Sequence, residues 1–432
     1  SCLRWAATSN GTPAKNPHGL ASRLKVPAMQ VPPFSLTDQL ADLGSELDDA
    51  VLRVLRSGQY IGGAEIKAFE DAFAASVKCR HAVGCNSGTD ALVLALRGLG
   101  IGSGDEVITA SFSFFATAEA ISAVGATPVF VDVDPVTYLI DLNLIEAAIT
   151  PATKVLLPVH LFGRPVDMAR ITEIAQRHGL KVVEDCAQAT GASWDSKPVG
   201  SWGDVGCFSF FPTKNLGAAG DGGAMTCQDD ALAQRMRELA VHGMPRRYLH
   251  TALGYNSRLD SIQAAVLNVK LPHLNEWVEK RAAIAKRYLE ALKDLPGVQL
   301  PDSAIDASVG HGWNQFVVRV GLCPSNQPTC GTTCSESASP YGLPSSRCRD
   351  WLKQSLQEQG VNTIIYYPIP IHRQPAYEGQ AQAQGNLPIT DQLCSEVLSL
   401  PIFPELKPEQ QERVIAVLRE QLVAQSQERM VA

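Results

Sequence analysis

The chain has 432 residues, 45% of them apolar and 19% charged, a balance typical of globular proteins and a length sufficient for two domains. A net charge of −7 with no Lys/Arg cluster excludes a surface that tracks nucleic-acid phosphates. No apolar run approaches the roughly 20 residues that a membrane span requires.

The first 37 residues contain no Asp or Glu, while Arg4, Lys15, Arg23 and Lys25 supply positive charge among Ser, Ala, Pro and Gly. Residues 1–30 therefore read as an acid-poor, disordered leader. The chain is expected to be cytoplasmic, with an organellar location as the alternative if the leader is a transit peptide. Apolar positions at helical spacing predict helices over 36–56 and 65–76. From 86 to 227 short strands alternate with helices. The helices are expected at 88–99, 117–124, 142–149 and 165–178, and the strands at 106–109, 128–132, 154–159, 181–184 and 205–210. Such alternation implies crossover connections and a mostly parallel sheet covered by helices, placed here in a large domain over 31–270.

After Leu259 a long helical pattern breaks near Pro272 and resumes to about 292. A strand at 314–320 and helices at 350–359 and 408–422 complete a smaller α+β domain over 271–432. Within it, residues 322–349 form a polar Pro/Ser/Gly/Thr stretch carrying Cys323, Cys330, Cys334 and Cys348. Their spacing matches no CxxC-type signature, so a surface insertion is expected rather than a metal site. Cys85, Cys186, Cys207 and Cys227 lie in or beside strands, where free cysteine packs as a small apolar group.

Three motifs carry chemistry. Lys214 follows the aromatic strand Phe208-Ser209-Phe210-Phe211 and leads into a glycine-rich turn. Asp185 stands at the end of Val182-Val183-Glu184, the strand edge at which open α/β sheets bind ligands. Asn86-Ser87-Gly88-Thr89-Asp90 opens an apolar helix in the manner of an anion cradle. A Schiff-base lysine, a carboxylate for a pyridinium nitrogen and a phosphate-binding helix start are what pyridoxal 5'-phosphate (PLP) requires. Gly88, Thr89 and Ser209 are the candidate phosphate ligands, and Phe114 is placed to stack on the ring.

With these motifs stand Gln59-Tyr60-Ile61-Gly62-Gly63, Glu184-Asp185-Cys186-Ala187-Gln188, Phe208-Ser209-Phe210-Phe211-Pro212-Thr213-Lys214, Gly254-Tyr255-Asn256-Ser257-Arg258-Leu259-Asp260 and Tyr366-Tyr367-Pro368 with His372. From about residue 31 to 423 the chain resembles the DegT/DnrJ/EryC1/StrS family, the nucleotide-sugar aminotransferases of fold-type I PLP enzymes. The resemblance implies that Gln188 contacts the cofactor's phenolic oxygen and that Asn256 reaches the phosphate from the partner subunit of a homodimer. It places His372 on the sugar side, as a substrate contact or as packing. It also implies transfer of an amino group from L-glutamate to a nucleotide-linked keto sugar. The Gly254–Leu259 segment resembles the 3-keto branch more than the 4-keto branch. A sugar dehydratase of the same fold is the nearest rival, but those relatives carry histidine at the position of Lys214. A non-catalytic regulator is the other rival, and the joint presence of Lys214, Asp185 and Gln188 argues against it.

Overall fold

An amphipathic helix, α1 (Thr37–Ser57), buries Leu43, Ala50 and Val54 and ends at Gly58. Helix α2 (Ala64–Ser76) sets Phe69 and Phe73 four residues apart on one buried face. The computed structural model describes residues 29–302, 308–320, 346–378, 382–383 and 386–428, so all but the last two residues of the acid-poor leader lie outside the described residues.

There follow β1 (His81–Cys85), α3 (Gly88–Gly98), β2 (Glu106–Ala110), α4 (Ala116–Ala123), β3 (Thr127–Val131), β4 (Thr153–Leu157), α5 (Met168–His178) and β5 (Lys181–Asp185). A small hairpin, β6 (Ser193–Trp194) with β7 (Lys197–Pro198), precedes β8 (Val205–Ser209), β9 (Gly223–Cys227) and α6 (Asp230–Leu239). Helices α7 (Ser261–Lys270) and α8 (Leu274–Leu292) are separated by a single turn at Leu271–His273 that contains Pro272. The last elements are β10 (Val309–Gly310), β11 (Phe316–Arg319), α9 (Arg347–Glu358), β12 (Gln382–Ala383), α10 (Pro388–Glu396), β13 (Val397–Leu400) and α11 (Pro408–Glu428).

The main sheet has the order β1-β9-β8-β5-β4-β2-β3-β12. Only β9 runs against its neighbours, so the carboxyl ends of β1, β2, β4, β5 and β8 share one edge. A large apolar cluster runs through this sheet and its helices. A second cluster joins Val31, Tyr288 of α8, Phe316 of β11, Leu352 of α9, Leu398 of β13 and Val414 of α11. At its heart the buried Arg281 guanidinium donates to the carbonyls of Trp313, Asn314 and Ile402. Among the described residues no helix is long and apolar enough to cross a membrane.

The structure corrects several expectations. The helix expected at 142–149 is a turn with one 3-10 segment, Glu146–Ala148. The Asp141 carboxylate accepts from the Asn143 amide, and Pro151 disfavours helical geometry at the residue before it, so the backbone has a competing arrangement. Helix α5 starts at Met168 instead of 165 because the Asp167 side chain caps it, accepting from the Arg170 amide. Strand β13 and helices α6 and α10 were not anticipated, and β1 and β9 were expected only as strands in or beside Cys85 and Cys227, without bounds. The polar stretch assigned to 322–349 ends sooner than expected. Cys348 and Arg349 belong to α9, and the buried Arg349 donates to the carbonyls of Cys394 and Val397. Cys323, Cys330 and Cys334 lie outside the described residues.

Candidate active site

The shared carboxyl edge gathers most of the candidate residues. Asp185 ends β5 and is 4% exposed. Its Oδ2 accepts from Thr117 Oγ1 at 2.8 Å and its Oδ1 from the Ala187 amide at 3.1 Å. Burial pushes its carboxyl pKa up; Thr117, Ala187, Lys214 and His160 oppose that shift, in that order. Among the described residues no cation forms an ion pair with it.

Lys214 lies in the turn after β8, its amide donating to the Phe211 carbonyl. Desolvation lowers its pKa to about 8, against a smaller opposing pull from Asp185. The adjacent Asn215 is buried and fastens the turn, its Nδ2 donating to Gly312 O at 2.7 Å and Thr190 O at 3.2 Å.

The helix start and the strand end meet closely. Ser87 caps α3, accepting from the Asp90 amide. A Cβ on Gly88 would stand 2.6 Å from Ser209 Cβ, so only glycine lets the first turn of α3 rest on the end of β8. The first turn of α3, which carries the N–H groups of Gly88 and Thr89, thus lies against Ser209.

Gln188 is pinned at both ends of its amide. Its Oε1 accepts from Phe162 N at 2.8 Å, and its Nε2 donates to Tyr367 Oη at 2.7 Å. Burial pushes the Tyr367 phenol up, which keeps it neutral. Phe114 is 57% exposed, its ring 6.0 Å from that of Tyr367. Asn256 is exposed on the segment after α6, bridged through its backbone to Val241.

His372 is engaged inside the protein. Its backbone N–H donates to Ser111 Oγ at 3.0 Å, so the serine hydroxyl is free to donate to ring Nδ1 at 2.7 Å. Nε2 faces Asp391 Oδ1 at 3.4 Å, and Asp391 is gripped by Arg373 through two bonds. This arrangement fits the neutral ring, and burial pushes its pKa down.

Thr117, Tyr367, Asn215 and His160 were not picked out as site residues by the sequence reading. Asn215 follows Lys214 directly, Tyr367 stands in the Tyr366-Tyr367-Pro368 motif, and Ser113 stands four residues before Thr117. One cluster, His160, Glu184 and Cys186, has the donor types of a metal site. Its Glu184 carboxylate already accepts from the Gly200, Trp202 and Gly203 amides, each at 2.8 Å, and from His160 Nε2 at 3.1 Å. The His160 Nδ1 accepts from Val166 N, so the cluster is a satisfied scaffold.

The model of the DegT/DnrJ/EryC1/StrS aminotransferase family matches residues 41–328 and 337–419. Over 401 residues the chain is 44% identical to a dTDP-3-amino-3,4,6-trideoxy-alpha-D-glucose transaminase of Streptomyces venezuelae, covering 93% of this chain and 98% of that protein. It is 43% identical over 393 residues to a pleiotropic regulatory protein of Geobacillus stearothermophilus, covering 91% and 98%. The crystal structure of S. venezuelae DesV in complex with a ketimine intermediate superposes with a TM-score of 0.82 at 44% identity, covering 91% of this chain and 98% of that one.

Proposed function

The chain belongs to the DegT/DnrJ/EryC1/StrS aminotransferase family, and from that premise we propose that it holds PLP at Lys214 and aminates a nucleotide-linked 3-keto sugar. Members of the family depend in general on PLP. The observation that carries the reading is the opposition of Lys214 and Asp185. A buried carboxylate with only two hydrogen bonds is costly unless a cation meets it, and a pyridinium N–H is such a cation. The first turn of α3 at Gly88 and Thr89, resting on Ser209, suits a phosphate, because a helix start offers unpaired N–H groups to an anion. The residues therefore fit the cofactor.

When bound, PLP supplies an electron sink for the carbon whose proton is removed. Lys214 would supply the nucleophilic amine, available because its pKa sits at about 8, and would afterwards hold at Nζ the proton removed from the substrate carbon. Asp185 holds a proton on the ring nitrogen. Gln188, fixed by Phe162 and Tyr367, offers its amide to the phenolic oxygen, and Phe114 covers the ring face. The His372 segment borders the sugar side.

L-glutamate is the proposed amino donor, and a homodimer the proposed assembly, with Asn256 completing the partner's phosphate site. The exposed side chains of Tyr248, Leu249 and Leu253 near Asn256 support an interface there. The preference for a 3-keto sugar draws on the Gly254–Leu259 segment and on the 3-amino product in the S. venezuelae relative's name. The same reading takes residues 31–270 as the cofactor-binding unit and 271–432 as the smaller one.

The test is a screen of keto-sugar nucleotides with glutamate, following 2-oxoglutarate and identifying the amino sugar by NMR. Borohydride treatment with PLP should label the peptide containing Lys214. Label on another lysine, or no turnover with any 3-keto nucleotide sugar, would refute the reading.

A further inference from the structure

We propose that Thr117, backed by Ser113, is a positioning residue for Asp185: it occupies Oδ2, holds the carboxylate as an anion and leaves its remaining lone pairs to the ring nitrogen. This rests on the reading of Asp185 as the partner of that nitrogen.

The proton count fixes the direction of the chain. Thr117 is 1% exposed, Ser113 4% and Asp185 4%, so water does not mediate between them. An ionised carboxylate has no proton to give, so Thr117 Oγ1 donates to Asp185 Oδ2 at 2.8 Å. Its single proton is then used, and at the 2.8 Å contact with Ser113 it accepts. The order is Ser113 to Thr117 to Asp185, and each donor polarises the next. Hydrogen bonding to the charged form favours that form, and Thr117 is the first of the groups opposing the burial of Asp185.

The other titratable groups near Asp185 are Lys214 in the turn after β8, His160 after β4, Glu184 and Cys186 beside it, Cys207 on β8 and Tyr367. Among the described residues only Thr117 and Ala187 donate to its carboxylate. Ala187 donates through its backbone, so among the described residues Thr117 is the one side chain that acts on the Asp185 carboxylate by hydrogen bonding.

The experiment uses the full chain, cofactor-free and PLP-loaded. Infrared spectroscopy follows the conversion of the Asp185 carboxyl to carboxylate with pH, the band being assigned by its loss in Asp185→Asn. Thr117→Val keeps the volume and removes the hydroxyl; Thr117→Ser keeps the hydroxyl. In Thr117→Val the transition should move to higher pH, and PLP should bind about tenfold more weakly near neutral pH. That loss should shrink as pH rises past the displaced transition. Thr117→Ser should restore both readouts, and Ser113→Ala should move them less far. An unmoved transition in Thr117→Val, or an equal displacement in Thr117→Ser, would overturn the proposal. A displaced transition with PLP binding indifferent to both Thr117→Val and Asp185→Asn would instead overturn the cofactor reading of Asp185, and with it the purpose assigned to Thr117.

Discussion

Glu184 and Asp185 are neighbours on β5, both carboxylic acids and both buried, yet they face opposite sides of the sheet and are treated differently. Glu184 receives three backbone amides and an imidazole. One of those amides belongs to Gly200, where φ is +81° and a Cβ would stand 2.3 Å from Phe208 Cζ, so glycine is required there. Asp185 receives one hydroxyl and one amide. A buried acid that is fully hydrogen-bonded belongs to the scaffold. One that is left short of partners on an edge shared with a low-pKa lysine is available to a ligand. On the proposed function, strand β5 separates a structural face from a chemical face, one residue apart.

The comparison breaks most readily at Lys214, on the chemical face. Lys214→Ala should lose at least about a thousandfold in turnover, because the nucleophile is removed outright, with melting behaviour little changed. A variant retaining ordinary transamination would remove the distinction between the faces.

Asp185→Asn should follow with a loss of about a hundredfold or more in kcat. Since burial raises the Asp185 pKa above its unfolded value, ionisation of this group opposes folding as pH rises through that window. The cofactor-free amide variant should therefore melt no lower than the parent at neutral pH. Differential scanning calorimetry reads this directly.

Glu184→Gln should behave in the opposite sense. It points an amide NH2 at backbone donors and should cost about 2–4 kcal/mol in urea unfolding, while kcat of the folded protein stays within a factor of a few. A stable but inactive variant would mean that the structural face also does chemistry.

Asn256→Ala should weaken PLP binding roughly tenfold, the scale of one hydrogen bond to a charged group, and light scattering should report a dimer for parent and variant alike. A fully active monomer would restrict the site to one chain. The smallest effect is on pH dependence. With Lys214 at about 8, the fraction of free amine rises roughly fivefold between pH 7 and 8, and the rate of PLP attachment to the cofactor-free chain should rise with it and level off above. A flat profile would place the lysine outside the desolvated pocket.

The alternation of strands and helices from β2 to β8, and the lysine, carboxylate and helix cradle, were legible in the sequence because period, strand-end position and glycine placement are local signals. The bounds of β1 and β9 were not, since Gly84 and the run Gly223-Ala224-Met225-Thr226-Cys227 have weak strand character, and strand pairing with distant partners sets where they start and stop; β13 was missed altogether and is paired with β11. Helix 142–149 failed for the reverse reason: its apolar spacing was real, but the Asp141 turn and Pro151 outweighed it. In the same way the sequence determined that Glu184 and Asp185 would end a buried strand, and named Asp185 for the ring nitrogen. Only the tertiary structure decided how each acid is satisfied. Thr117 stands 68 residues from Asp185, and Gly200, Trp202 and Gly203 come from a different loop, so no local pattern encodes which carboxylate is paired within the protein and which is left for a ligand.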